Sequence, residues 1–356
     1  MRSITRIGRR TVAGAFAALL VIGALSGATG ATVPGATYLT FVANSQSANP
    51  SVAIASVGGN DVRILGHGSM ALIAPNGSSV AVISTSATSG GSSSTLWLYP
   101  SRGGPARKLY HSSEFIDLFG WSADSRLLLA DLSGASNGVG PLLSIDAKSG
   151  ATHTIAKGVI SGASFSEQGS DDVVYSLAQS QLTSAAVNIY TSSWTGGDVN
   201  EIVTGGHSTN PLWGPKGIVF VRQSSRGSAA EPLNQLWFIE SNGAGARQLT
   251  HMSLSPLVDG LVPVAFSANG SHLLADFQGT DTSAAWVVDL SGAKAVVRDL
   301  DGIADGNIAA GISRSGQTVL IDSGFEGSPR SVETIPWGGG KPTVLAKHGA
   351  FASWNY

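Results

Sequence analysis

Five of the seven histidines, His67, His111, His207, His251 and His348, fall just after the last apolar run of a repeating unit. Acidic residues Glu114, Asp259, Asp301 and Asp305 occupy the same connections, and Asp117 follows in the next apolar run. Imidazoles and carboxylates gathered from several segments could hold a divalent cation or a polar ligand. A carboxylic acid near a histidine is also a pair suited to general acid–base work. The plainer reading is a repeat that keeps a polar residue at each connection to bond the backbone there. No His-x-x-x-His spacing occurs within one segment, so any such site needs several connections to converge.

A second set is aromatic. Trp121, Phe165, Trp213, Phe266 and Trp354 each close an apolar run, and Trp97 and Trp237 sit inside later ones. Such rings could stack on a sugar, but their regular recurrence points first to packing between neighbouring units. Catalysis finds little to stand on. There is no Gly-x-Ser-x-Gly nucleophile motif, and the runs at 70–74, 160–165, 261–266 and 308–312 contain no acid or base. A glycosidase needs two carboxylates to converge. No glycine-rich phosphate loop precedes a helix, because no convincing amphipathic helix is found.

The elements that must position these residues form a repeat. Glycine turns at Gly59, Gly104, Gly150, Gly197, Gly243, Gly292 and Gly339 are 45, 46, 47, 46, 49 and 47 residues apart. Residues 96–111 (LWLYPSRGGPARKLYH) align without gaps on 236–251 (LWFIESNGAGARQLTH), three units further on. Each unit reads as four short strands; in one they fall at 210–213, 218–222, 235–239 and 246–250. Asn76-Gly77 and Asn269-Gly270 signal the hairpin between the first two strands. Four antiparallel strands every 40–50 residues predict an all-β, seven-bladed β-propeller, with six blades the alternative. The segment 38–67 lacks a first strand and the segment 350–356 supplies one. The expected closure therefore pairs N-terminal strands with a C-terminal strand, which removes open sheet edges. Connections at 84–94, 133–140, 223–231, 278–283 and 323–330 exceed what a tight turn needs and are a further candidate binding surface.

A Ser-x-Asp/Asn-Gly turn before an apolar strand, then Leu-Trp-Phe-Ile and Gly-x-Ala-Arg-Gln-Leu-Thr, resembles the repeat of TolB-type propellers, the WD40-like Pro-Asp-rich repeat. The resemblance spans 37–356, close around 94–111 and 235–251 and loose around 173–203. TolB has six blades, an N-terminal α/β domain and a Pro-Asp-Gly turn, whereas this chain has seven units and Pro-Asn-Gly or Ala-Asn-Gly. The resemblance implies the fold and a protein-interaction or ligand-binding scaffold in the cell envelope or outside the cell. It does not carry over TolB's own partners. The rival readings are a propeller enzyme acting on a glycan or lactone and a metal- or small-ligand-binding propeller.

Arg2, Arg6, Arg9 and Arg10 precede an apolar run over 11–25 and then small residues, with cleavage expected after Ala28 or Ala31. Residues 1–31 thus read as a signal peptide, or as an uncleaved anchor, and 37–356 as the propeller of an exported protein. That segment carries four of the 21 basic residues and no acid, so the remainder has 17 basic and 23 acidic residues, a formal −6. This balance offers nothing to nucleic acid. The 356 residues contain no Cys, which excludes disulfides, thiolate–zinc sites and cysteine nucleophiles. No cofactor is expected beyond the possible cation, membrane contact is expected only through the N-terminal segment, and a monomer is expected.

Overall fold

The computed structural model describes residues 38–355, except 58–60, 89–90, 134–137, 181–184, 225–232, 255–257, 280–281, 301–305 and 325–328. The segment read as a signal peptide therefore lies outside the described residues. All helix-or-strand structure within them is β-strand, in 27 strands.

The strands pair antiparallel in groups of four, the fifth and sixth groups being joined in addition by one parallel bridge between Asn234 and Gly260. The first group contains β1 (Tyr38–Ala43), β2 (Ser51–Ser56) and β3 (Arg63–His67), and the second β4 (Met70–Ile73), β5 (Ser79–Thr88), β6 (Gly91–Pro100) and β7 (Arg107–Ser112). Next come β8 (Phe115–Trp121), β9 (Leu127–Ser133), β10 (Gly140–Asp146) and β11 (Thr152–Phe165). The first half of β11 pairs with β10; its second half opens the fourth group with β12 (Asp172–Ala178), β13 (Asn188–Ser193) and β14 (Asn200–Val203). The fifth holds β15 (Ser208–Gly214), β16 (Gly217–Ser224), β17 (Leu233–Ile239) and the short β18 (Arg247–Gln248). The sixth holds β19 (Val258–Phe266), β20 (His272–Gly279), β21 (Ser283–Asp289) and β22 (Val296–Asp299). The seventh holds β23 (Ile308–Ile312), β24 (Thr318–Ser323), β25 (Ser331–Pro336) and β26 (Thr343–Lys347). The last strand, β27 (Gly349–Trp354), returns to pair with β1, Leu39 opposite Trp354, and supplies the first group's missing strand.

Burial follows position within each four. Second strands such as β9 (LLLADLS) are buried along almost their whole length, because neighbouring sheets cover both faces. Outer strands such as β3 are largely exposed. First strands alternate, as in β4, leaving every other side chain half-exposed on the side away from the core. Six of these first strands carry a register shift two to five residues before their end, for example between Leu118 and Gly120 and between Ala309 and Gly311. Such bulges increase twist and re-aim the final side chain.

Apolar clusters join successive groups. One packs Leu39, Phe41 and Trp354 against Leu320, Val332 and Leu345, so the seventh group rests on the first. Buried acids reinforce the same seams. Asp276 on β20 accepts a hydrogen bond from the Ala309 amide on β23 (3.2 Å). Asp322 on β24 accepts from the Phe351 and Ala352 amides on β27 (2.5 and 3.3 Å). Each aspartate thus satisfies backbone donors that the bulge in the next first strand frees from the ladder.

Candidate functional site

The first strands end, and turn into the second, around one cavity of about 500 Å3. The turns share one construction. The Asn76 and Asn269 side-chain carbonyls accept from the Ser78 and Ser271 amides (2.9 Å each), and Gly77 and Gly270 take positive φ values of 68° and 63°. That is the backbone conformation the Asn-Gly pairs predict. Contacts between turns lock the rim. Gln168 Nε2 donates to the Pro215 carbonyl (2.9 Å), the Asn76 amide to Ser125 Oγ (3.1 Å), and the Ala268 amide to the Arg314 carbonyl (3.0 Å).

The floor is aromatic. Phe119, Trp121, Phe165, Phe266 and Trp354 line it, Phe119 and Trp121 being half-buried and the others buried. The same rings pack between units. Trp121 Nε1 donates to the Leu72 carbonyl of the preceding first strand (3.1 Å), and Phe266 lies against Gly214, where an added Cβ would sit 2.5 Å from its ring. The stacking and packing readings of these rings are therefore compatible: one edge closes a seam while another borders open space. Trp213 is the exception, packed in a cluster with Val174 and Phe220 and absent from the lining.

Six turns align on their second residue: Pro75, Ala123, Glu167, Pro215, Ala268 and Arg314, and all six line the cavity. Four are small or apolar and two carry opposite charges. Among the described residues Glu167 and Arg314 form no ion pair with each other or with another side chain. The Glu167 side chain is open to solvent within the concave rim, yet the surrounding protein displaces much of its water. That desolvation raises its pKa to about 7, and the nearby Arg314 charge pulls in the opposite direction.

Residues read from the sequence as candidates lie elsewhere. His67 ends β3 and His111 lies in β7, their Nδ1 atoms 3.5 Å from Ser51 Oγ and 3.0 Å from Thr95 Oγ. His207, His251 and His348 lie between strands, and all five rings are exposed. Glu114 precedes β8, and Asp117 lies within β8 directly opposite Asp131 on β9. Asp259 lies in β19, which begins three residues earlier than the apolar run suggests. The histidines, Glu114 and Asp259 are at the starts of first strands and the cavity is at their ends, roughly 20 Å away at ~3.3 Å per residue. Asp117, the third residue of β8, instead stands two residues before the cavity-lining Phe119. Asp301 and Asp305 lie outside the described residues. Among the described residues no three His, Asp or Glu side chains gather as a metal site requires. Glu167 and Arg314 had a signal in the sequence, since they are the charged exceptions at an otherwise Pro/Ala repeat position.

No family model and no curated protein matches the chain. Solved structures do. The β-propeller domain of the Trilobed protease from Pyrococcus furiosus, described as having an open velcro topology, is 14% identical, with a TM-score of 0.59 over 84% of this chain and 88% of that one. TolB from Acinetobacter baumannii is also 14% identical, with a TM-score of 0.52 over 89% of this chain and 82% of that one. An oligogalacturonate lyase solved with manganese is 13% identical, with a TM-score of 0.55 over 88% and 86%. The fold is thus an all-β propeller like that of TolB, shared with peptidase and lyase propellers of unrelated chemistry.

Proposed function

We propose that the chain is an exported β-propeller of the TolB type whose seven fours of strands are blades of a ring closed by β27 on β1, and that it works as a ligand-binding scaffold outside the cytoplasm. The observation that carries the binding reading is the cavity itself. All seven units contribute to one concavity of about 500 Å3, with an aromatic floor and a polar rim that includes Glu167, Gln168 and Arg314. That volume and lining suit a small-ligand pocket. Export is supported by the Arg-rich, then apolar, then small-residue order of residues 1–31.

The enzyme reading has less behind it. Among the described residues Glu167 is the one carboxylate lining the cavity, and the charge it feels across the rim is Arg314. Two facing carboxylates, as glycoside hydrolysis needs, are not present there.

The test expresses the full chain in a bacterial host and recovers it from outside the cytoplasm. An intact mass beginning at residue 29 or 32 is expected; a recovered chain that keeps residues 1–28 counts against a cleaved signal. The purified protein is then screened by thermal shift against amino acids, short peptides and oligosaccharides. A binder should raise Tm by mass action, and Trp121→Ala should abolish the rise. If no compound stabilises the wild type, the small-ligand reading falls.

A further inference from the structure

Resting on the reading of the cavity as a ligand site, we propose that its ligand is a small zwitterion with an apolar body. The ammonium end is set at Glu167, the carboxylate end at Arg314, and the body lies on Phe119 and Trp121.

The repeat makes the argument. A residue kept for the turn's own sake should have the same chemistry in every copy. Pro75, Ala123, Pro215 and Ala268 obey that expectation at the second turn position; Glu167 and Arg314 do not. They belong to the fourth and seventh units, so their turns come from well-separated parts of the repeat, yet both border the same cavity. The Arg314 charge is felt at Glu167, but the two do not close into an ion pair. Open space therefore remains between two opposite charges over an aromatic floor.

Three ligand classes fail on electrostatics. A simple anion gains from Arg314 and is opposed by Glu167, and a simple cation meets the reverse. A neutral apolar molecule would strip water from both charges and give neither a partner, which is costly. A zwitterion satisfies both at once, and the low-dielectric walls strengthen each contact relative to open water. The volume of about 500 Å3 holds a body between an aromatic amino acid and a dipeptide.

The probe is the dipeptide leucyl-phenylalanine in four forms: both termini free, N-acetylated, C-amidated, and both blocked. Binding is measured by isothermal titration calorimetry at pH 7.5, where Glu167 is largely ionised. The free form should bind about tenfold tighter than either singly blocked form, and the doubly blocked form weakest. Glu167→Gln should erase the penalty of acetylation, and Arg314→Gln the penalty of amidation. Circular dichroism melting of both variants checks that these turn substitutions leave the fold intact. Equal affinity for all four forms overturns the zwitterion assignment while leaving the cavity a ligand site. Binding by neither free nor blocked forms at millimolar concentration overturns both. Unchanged preferences in the two Gln variants overturn the assigned roles.

Discussion

Single atoms decide how the aromatic floor is built. Gly214 ends β15 with the Phe266 ring against it, and a Cβ there would approach the ring to 2.5 Å. Gly214→Ala must push that ring, and overpacking of this kind costs about 1–3 kcal/mol. Gly120 borders the same cavity with nothing within 4 Å of where its Cβ would be. Gly120→Ala should therefore be neutral or slightly stabilising, since alanine narrows the unfolded ensemble by ~0.4–1 kcal/mol. Urea unfolding of the two variants checks the pair, and equal effects would refute this account of the floor. The aromatic residues at the ends of first strands were legible from spacing alone. Which of them also face open space was not, because that depends on small residues in the preceding strand.

At the scale of elements, three outer strands are tied to the next unit by an arginine. Arg63 on β3 donates to the Ser101 carbonyl, Arg107 on β7 to that of Ala147, and Arg298 on β22 to that of Trp337. Three units thus repeat one staple, and it accounts for arginines that sequence spacing left without a role. The strand that matters most is β27. It pairs with β1, adds Ala352 and Trp354 to the cluster containing Leu39 and Leu320, and offers Asp322 two amides. Deleting residues 349–356 should expose the edge of β1 and leave Asp322 buried without those donors, each a recognised source of instability. The expected result is a broadened, early urea transition together with association on gel filtration. Adding the peptide 349–356 in trans should sharpen the transition again. A truncated protein as stable as the full chain and eluting at the same volume would refute this role of the β27–β1 pairing. The sequence legibly placed a first strand at its C-terminal end. Its register, Leu39 against Trp354, came only from three-dimensional pairing.

For the whole molecule, buried carboxylates shape stability against pH. Burial raises the pKa of Asp276 and of Asp322 from 3.8 to about 6, although Gln278 and the Ala309 amide for Asp276, the Phe351 and Ala352 amides for Asp322, and the Arg330 charge for both pull the other way. Between about pH 4 and 6 the native state therefore holds protons that the unfolded chain has lost. Stability from these groups falls as pH rises through that window, by on the order of 2 kcal/mol each. Asp146 and Asp289 act oppositely. Hydrogen bonds from Ser149 and Ser291 hold their pKa values below 3.8, so their contribution is lost as pH falls toward and below that value. The maximum these four groups create is expected near pH 4, with stability falling toward pH 6–7, and the Asp276→Asn, Asp322→Asn double variant should flatten the slope between pH 4 and 7 in urea unfolding. An unchanged slope would refute the assignment. By itself the sequence determined the repeat, the strands and the all-β class, because turn chemistry and alternation are local and recur in every unit. Only the tertiary structure decided that the turns of the fourth and seventh units share one cavity with opposite charges, that the histidines lie at the far ends of the first strands, and that lone aspartates in apolar strands bond the amides of the next unit. Each of those depends on residues brought together from tens to hundreds of positions apart, a proximity that no local pattern encodes.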